Sequence, residues 1–342
     1  MRARWIEAWG GELLDGERPR PVPGDGEALV RVEACSIGLT VLNCIRGDLG
    51  ADDAGLPRVP GHEIVGEIVE VGRGVDPARV GERVMAYFYL CCGECRRCLE
   101  GPESLCERLA GVIGVHRDGG YAEYTALPAR NLLPLPAGLG ASDATAIPDA
   151  IATPVHVARH ANIRPGDRVA VTAAGGGVGV HMVQVARVCG ADVAGLEVVP
   201  EKLRFLEDEL SVAAVDSSDF NSVALPADWH GRADVVVDLL GTRASLSWGS
   251  GALAPGGRLV VLTTFPGVGF EVSPRELVLA HATIMGSRYA SRAELGTASR
   301  LAASGRVRPI VTRVVDAGGI DAVHDQLRRG ELIGRGAVLW AA

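Results

Sequence analysis

The feature that most restricts the fold of this 342-residue chain is a glycine-rich run, residues 173–179, set between a strand pattern and a helix pattern. Residues 168–172 predict a strand, and apolar residues recurring every three or four positions over 178–189 predict a helix. Glycines let backbone amides approach a pyrophosphate at the positive end of such a helix. We therefore expect a dinucleotide to bind at Gly175, Gly176, Gly177, Val178 and Gly179.

Glu197 ends the next predicted strand, 193–197, roughly 20 residues after the glycine run, as in dinucleotide-binding folds. A carboxylate there accepts hydrogen bonds from the adenosine ribose and repels a ribose phosphate. Val198 and Val199 follow it, so no arginine stands beside it to neutralise that phosphate. The sequence favours NAD over NADP.

Strand and helix patterns alternate across residues 151–288, which predicts parallel βαβ units and an open, doubly wound sheet. Residues 1–150 instead show short strand patterns, such as 28–35 and 64–71, between Gly and Pro, and predict an irregular, mostly β domain. The tail, 289–342, ends in a strand pattern at 337–340 that we expect to complete this first domain. The predicted class is α/β with two domains, in line with the chain's length.

Four cysteines in a short loop, Cys92, Cys95, Cys98 and Cys106, predict a structural zinc site. Four thiolates complete a tetrahedral zinc without an open position. In a reducing compartment, closely spaced cysteines are more typical of a metal site than of disulfides.

Composition excludes several partners. The net charge of −8 and the lack of a dense Lys/Arg block argue against nucleic acid binding. No apolar run reaches the roughly 18 residues needed to span a membrane, and the first twelve residues lack a signal-peptide core. We expect a cytoplasmic protein that acts on a small molecule.

Three motifs carry a family resemblance over nearly the whole chain: GHExxG from Gly61, the cysteine array described above, and GRxV from Gly334. On these motifs the chain resembles the zinc-type alcohol dehydrogenases of the medium-chain dehydrogenase/reductase superfamily. The resemblance implies a GroES-like substrate domain, a Rossmann domain and an active site in the cleft between them. It also implies a homodimer or homotetramer, a contact of Lys202 with the adenosine ribose, and an approach of Arg335 to the pyrophosphate.

The sequence departs from this family at the catalytic-zinc site. Gly38 stands where the family supplies a zinc-binding cysteine, and Asn43 stands where it supplies a relay histidine. Thr40 keeps the hydroxyl of the proton relay. His62, Glu63 and Asp149 remain as candidates to bind a catalytic zinc, and whether they do so stays open at this point.

The first hypothesis is an NAD(H)-dependent oxidoreductase that moves hydride between nicotinamide and an alcohol or carbonyl. A catalytic zinc would polarise the carbonyl or lower the pKa of the alcohol, and Thr40 would relay the proton. The second is a zinc-independent reductase of an activated C=C or C=N bond. The third is a non-catalytic binding protein on a dehydrogenase scaffold. Substrate choice is expected to depend on loops 48–57 and 265–270.

Overall fold

The structure is a computed structural model that describes residues 1–49, 55–263, 265 and 267–340. It divides into two compact units. The first comprises Met1–Asp149, Ala290–Gly305 and Pro309–Ala342, and the second comprises Ala150–Tyr289 and Arg306–Arg308.

The strands of the described residues are β1 Arg2–Trp5, β2 Leu14–Glu17, β3 Glu27–Ile37, β4 Ile64–Val71, β5 Arg83–Ala86, β6 Tyr124–Pro128, β7 Leu132–Pro134, β8 Arg168–Thr172, β9 Asp192–Glu197, β10 Ala213–Asp216, β11 Ala233–Asp238, β12 Leu253–Val261, β13 Thr283–Gly286, β14 Val311–Val315 and β15 Arg335–Leu339. The helices are α1 Leu39–Arg46, α2 Arg96–Glu100, α3 Ala141–Ala144, α4 Ala152–His160, α5 Gly179–Val188, α6 Pro200–Asp208, α7 Arg243–Gly251, α8 Pro274–Ala280, α9 Arg292–Ala303 and α10 Ile320–Arg328.

The first unit is built on a mixed sheet in the order β14-β15-β3-β4-β5-β7, with β6 also paired to β3. The long strand β3 is its centre, because β4, β6 and β15 all pair with it antiparallel. Buried and half-buried residues alternate only over 30–34, whereas residues 28–30 and 34–37 are buried throughout. Both faces of the sheet are therefore covered at the two ends of this strand, and one face is partly open in the middle.

Pairing with β3 brings distant parts of the chain to one place. Gly336 of β15 lies opposite Ile37, so the adjoining residue, Arg335, lies beside Gly38. On the other side of β3, Cys35 pairs with Ile64, which places the preceding segment, His62 and Glu63, at the same end of the strand.

The second unit contains a six-stranded parallel sheet in the order β10-β9-β8-β11-β12-β13. Four of the five residues of β8 are buried, as expected for a strand covered on both faces. The strand order reverses between β8 and β11. Ligands of such sheets bind at the carboxyl ends of the strands at this reversal, which is where the glycine run follows β8.

The predicted α/β class with a mostly β unit and a doubly wound parallel unit is confirmed. The predicted strands at 64–71 and 168–172 have the predicted bounds, and β15 joins the sheet of the first unit. Among the described residues no helix is long and apolar enough to cross a membrane. Residues 50–54, 264 and 266 lie outside the described residues. Of the two loops expected to govern substrate choice, 48–57 therefore lacks residues 50–54 and 265–270 lacks residue 266.

Candidate active site and zinc centre

The predicted trio His62, Glu63 and Asp149 meets in the first unit, with ligand atoms within 4.8 Å of one another. His62 and Glu63 precede β4, and both are fully buried. Asp149 comes from a π-helical turn, Ile147–Ile151, and its side chain is 11% exposed. Such turns widen the helix by one residue and are frequent at functional sites.

A guanidinium group occupies the centre of this trio. Nη2 of Arg335 lies 3.2 Å from Oε1 of Glu63 and 3.2 Å from Oδ2 of Asp149. The Arg335 side chain is 3% exposed. Because a buried cation is stable only when it is paired, these two carboxylates fix the guanidinium in place. The predicted contact of Arg335 with a pyrophosphate stays a prediction.

Gly38 borders the same guanidinium. A Cβ atom built on Gly38 would lie 1.5 Å from Nη1 of Arg335 and 2.7 Å from its Cζ. No real Cβ tolerates such contacts, so a side chain at residue 38 and this position of Arg335 exclude each other. The loss of the expected cysteine therefore changes the centre by admitting a cation, and not only by removing a ligand.

His62 lies in an acidic environment. Its Nε2 is 3.6 Å from Oδ2 of Asp149, and its ring meets that of Phe88 edge-on at 4.7 Å. Burial alone would lower the pKa of His62, but Asp149, Cys44 and the charge of Glu63 outweigh it and raise the pKa to about 10. In this arrangement the imidazolium and the guanidinium balance the two carboxylates.

A catalytic zinc does not fit this arrangement. An ion at a normal zinc–oxygen distance from Oδ2 of Asp149 would lie within about 5 Å of the Arg335 guanidinium. A divalent ion and a guanidinium at that distance repel by roughly 6 kcal/mol at an effective dielectric constant of about 20. The three donors alone are a set that could hold a metal, but only if Arg335 left the centre.

Helix α1 contributes Cys44, a residue that the sequence analysis did not include among the site residues. Cys44 is buried, and its side-chain hydrogen bond with His62 raises the pKa of His62. Thr40 stands four residues earlier, so the two lie on the same face of the helix. Thr40 is half-buried and lies on the helix face that carries Cys44. The i, i+4 spacing is the signal that would have linked the two residues.

The four predicted zinc cysteines form a compact cluster in the first unit. Sulfur atoms lie 3.5 Å apart in Cys95–Cys98, 3.6 Å in Cys92–Cys106 and 3.9 Å in both Cys92–Cys98 and Cys95–Cys106. Thiolates about 2.3 Å from a tetrahedral zinc lie roughly 3.8 Å from one another. The cluster therefore fits a structural zinc with four protein ligands.

The pKa values of the cysteine thiols in this cluster shift in opposite directions. Backbone amides, first that of Glu94, lower the pKa of Cys92 to about 6, whereas burial and the neighbouring sulfurs raise the pKa of Cys98 to about 12. Four thiolates this close are stable together only with a cation among them. The lobe is anchored through Glu103, whose carboxylate accepts a hydrogen bond of 2.6 Å from the Arg292 amide.

The predicted dinucleotide turn lies in the second unit, between β8 and α5. The Glu197 carboxylate accepts hydrogen bonds from the amides of Gly175 at 3.0 Å and Val198 at 2.9 Å. A Cβ atom added to Gly175 would lie 2.6–2.9 Å from atoms of Lys202 and Glu197, so glycine is required there for close packing. These hydrogen bonds fix Glu197 beside the glycine turn, where it is predicted to bind the adenosine ribose.

Lys202 lies on α6 and is buried beside this carboxylate. Burial lowers the pKa of Lys202, while the charge of Glu197 partly restores it. Thr172 and Asp238, which the sequence interpretation did not include, end β8 and β11 at the reversal of strand order. The Asp238 carboxylate accepts from the Gly241 amide at 2.6 Å and so holds the loop after β11.

Comparison with known proteins places the chain in a family. Residues 24–137 match the alcohol dehydrogenase GroES-like domain, and residues 177–304 match the zinc-binding dehydrogenase domain. The chain is 32% identical to an alcohol dehydrogenase of Geobacillus stearothermophilus, with 98% of both chains covered. The chain belongs to the zinc-type alcohol dehydrogenase family. The resemblance drawn from the sequence is confirmed.

Two further similar proteins widen this comparison. An acryloyl-coenzyme A reductase of Metallosphaera sedula is 30% identical over 92% of both chains. A solved NAD-dependent alcohol dehydrogenase superposes with a TM-score of 0.90 at 31% identity, and all of both chains is covered. The chain is accordingly an NAD(H)-dependent oxidoreductase with a structural zinc site, as predicted.

Removing one thiolate should empty the structural zinc site. We expect Cys106→Ser to reduce bound zinc from about one ion per chain to nearly none and to lower the melting temperature by several degrees, because three thiolates leave the lobe open. Metal analysis and thermal melting measure both effects. The control is Cys189→Ser, a half-buried cysteine of the second unit outside the cluster. Equal zinc in Cys106→Ser and wild type would contradict the assignment.

Neutralising Glu197 should weaken NADH binding and reduce discrimination against NADPH. We expect Glu197→Gln to raise the Kd for NADH about tenfold, the cost of one hydrogen bond to a charged group, and to raise that for NADPH less or not at all. Fluorescence titration gives both constants. Glu201→Gln removes a charge from a side chain that is 65% exposed at the start of α6 and serves as the control. Similar changes in both variants would sink the assigned role.

Proposed function

We propose that the chain transfers hydride between NAD(H) and a small alcohol or carbonyl substrate. The observation that carries this proposal is the fixed carboxylate at the glycine turn, Glu197 bonded to the Gly175 amide, in a chain of the zinc-type alcohol dehydrogenase family. NAD supplies or accepts the hydride when bound. The glycine turn and Glu197 hold the dinucleotide, and Lys202 contacts its adenosine ribose.

In this proposal the first unit supplies the proton chemistry. Thr40 passes a proton to or from the substrate oxygen through its hydroxyl, which is the only part of the family's relay that the aligned segment keeps. The ion pair between His62 and Asp149 sets the charge around the Thr40 hydroxyl. Asn43, in place of the relay histidine, does not titrate, so the proton leaves by another route.

A second candidate function follows from Arg335. With a guanidinium among Glu63, Asp149 and His62, a reaction that needs no Lewis acid suits the centre. Reduction of a C=C or C=N bond activated by a neighbouring group is such a reaction, because hydride adds to one end and a proton to the other. The acryloyl-coenzyme A reductase relative is named for a reaction of this kind.

Assembly and location are proposed from an exposed apolar surface and from the cysteine cluster. Strand β13 ends the parallel sheet at one edge, and Val278 and Leu279 of the adjacent α8 are 77% and 70% exposed. Exposed apolar side chains beside an unpaired strand edge favour association with a second copy, so we propose a homodimer or homotetramer. The cluster of free thiols favours a reducing, cytoplasmic location.

Thr40 should be required for turnover but not for cofactor binding. We expect Thr40→Val, which removes the hydroxyl at similar volume, to reduce kcat about 100-fold with unchanged Kd for NADH. Thr40→Ser, which keeps the hydroxyl, is the control and should retain most activity. NADH oxidation is followed with ketones and aldehydes in one set and with α,β-unsaturated carbonyls, unsaturated thioesters and imines in another.

The two sets separate the candidates. Turnover of the saturated carbonyls supports the first function, and turnover confined to the second set supports the reductase. An absence of NADH binding in the titration would contradict both and favour a non-catalytic scaffold.

Charged residues on α8 should dissociate the oligomer. We expect Val278→Glu combined with Leu279→Glu to yield a monomer in size-exclusion chromatography with light scattering, because the paired copies would bury two like charges each. Leu99→Glu alters a 75% exposed leucine of the zinc lobe and should leave the mass unchanged. A monomeric wild type would contradict the proposed assembly directly.

A further inference from the structure

Gly38 occupies a backbone position that does not require glycine. Its φ of −138° and ψ of 170° are extended and open to any residue. Its backbone therefore gives no reason for the missing side chain. The three atoms nearest to a Cβ at this position, leaving aside its chain neighbours, all belong to Arg335.

The register of the sheet makes this neighbour unavoidable. Antiparallel pairing of β15 with β3 continues from Gly336 opposite Ile37 to Arg335 beside Gly38. A Cβ atom added to Gly336 would lie 2.7 Å from Val323 and 3.2 Å from Ile37, so a one-residue slip would place a side chain where only glycine fits. The Arg335 side chain thus starts from a fixed point next to residue 38.

Two carboxylates determine where the guanidinium goes from there. Nη2 of Arg335 contacts both Glu63 and Asp149 at 3.2 Å, while Nη1 lies over Gly38. Glu63 is fully buried and Asp149 nearly so. Two buried carboxylates repel each other unless cations lie beside them, and Arg335 is the cation whose contacts reach both Glu63 and Asp149.

We propose that the Arg335 guanidinium occupies the catalytic-metal position of this chain and excludes a second zinc ion, and that glycine at position 38 provides the room for it. Arg335 belongs to the GRxV pattern of the family, so the departure of this chain lies at Gly38. With a side chain that is 3% exposed, Arg335 orients Glu63 and Asp149. It is a positioning residue in this proposal, which takes the place of the predicted contact with the pyrophosphate.

The inference goes beyond the proposed function, since it concerns the metal content of the centre whichever substrate is turned over. It leaves the protein with one zinc, held by the cysteine cluster. A carbonyl substrate would then be polarised by protein hydrogen-bond donors alone.

Metal stoichiometry tests the exclusion. Wild type, Arg335→Ala and the double variant Gly38→Cys/Arg335→Ala are equilibrated with excess Zn²⁺, desalted and analysed for bound zinc. We expect one ion per chain in wild type and two in the double variant, where a thiolate joins His62, Glu63 and Asp149. Arg335→Ala alone should bind the second ion more weakly. With Co²⁺ in place of zinc, absorption bands of the added site give a second readout.

A double-mutant cycle tests whether the Arg335 guanidinium needs the space left by glycine at residue 38. Gly38→Ala adds only a Cβ, and we expect it to lower the melting temperature of wild type by about 5 °C or more, as overpacking of a buried site does. In the Arg335→Ala background the same change should cost little. Gly286→Ala is the control, because nothing lies within 4 Å of a Cβ added there.

Two outcomes would overturn the inference: wild type that takes up two zinc ions per chain, or Gly38→Ala that leaves wild-type stability unchanged. Both measurements use wild type or a single small substitution, so they decide the matter even if Arg335→Ala fails to fold. A protein inactive on every substrate tested would contradict the proposed function and leave these readouts as they are.

Discussion

The guanidinium of Arg335, held by Glu63 and Asp149, is the interaction on which the candidate centre depends. Its members come from the start of β15, the segment before β4 and the π-helical turn, and none of them is near another in sequence except His62 and Glu63. Breaking a buried pair of this kind by removing one partner costs about 3–5 kcal/mol, because the remaining charge is left without compensation. The centre therefore also stabilises the attachment of the C-terminal strand β15 to the rest of the first unit.

This interaction changes the meaning of the missing cysteine. Read from the sequence, Gly38 is a lost ligand that leaves His62, Glu63 and Asp149 as a weaker metal site. In the structure the same glycine leaves room for the side chain of Arg335. A cysteine at 38 and the observed Arg335 exclude each other sterically, and a zinc ion and that guanidinium exclude each other electrostatically. The two exclusions act in the same direction.

Local patterns were enough to predict the parts whose residues are close in sequence. The cysteine cluster spans one loop, and β4 and β8 were found with their bounds because β-branched residues and flanking Gly and Pro mark them. Helices α7 and α9 were missed, since their Gly, Ser and Ala residues blur the helical period. Capping boxes that begin at Thr242 and Ser291 were the available signals.

The position of Arg335 could not be predicted in the same way. Its motif is typical of the family, and nothing local to it indicates that residue 38, at the other end of the chain, decides where the side chain lies. That relation exists only through the register of β15 on β3, which no local pattern specifies. Cys44 was missed for a related reason, because a buried cysteine in a helix looks like a core residue until His62 is brought beside it.

The contrast between the two zinc positions has a physical basis. The cysteine cluster draws all four ligands from a single loop, so its metal stabilises a lobe that has little other core, and losing the metal would destabilise that lobe. The second position draws its groups from strands and a helical turn that are already fixed by the sheet and by buried contacts. There a cation is needed only to balance carboxylates, and a guanidinium does this as well as a metal. What a guanidinium does not offer is an open coordination position, so the chemistry that remains to this centre is hydride transfer supported by hydrogen bonds and charge.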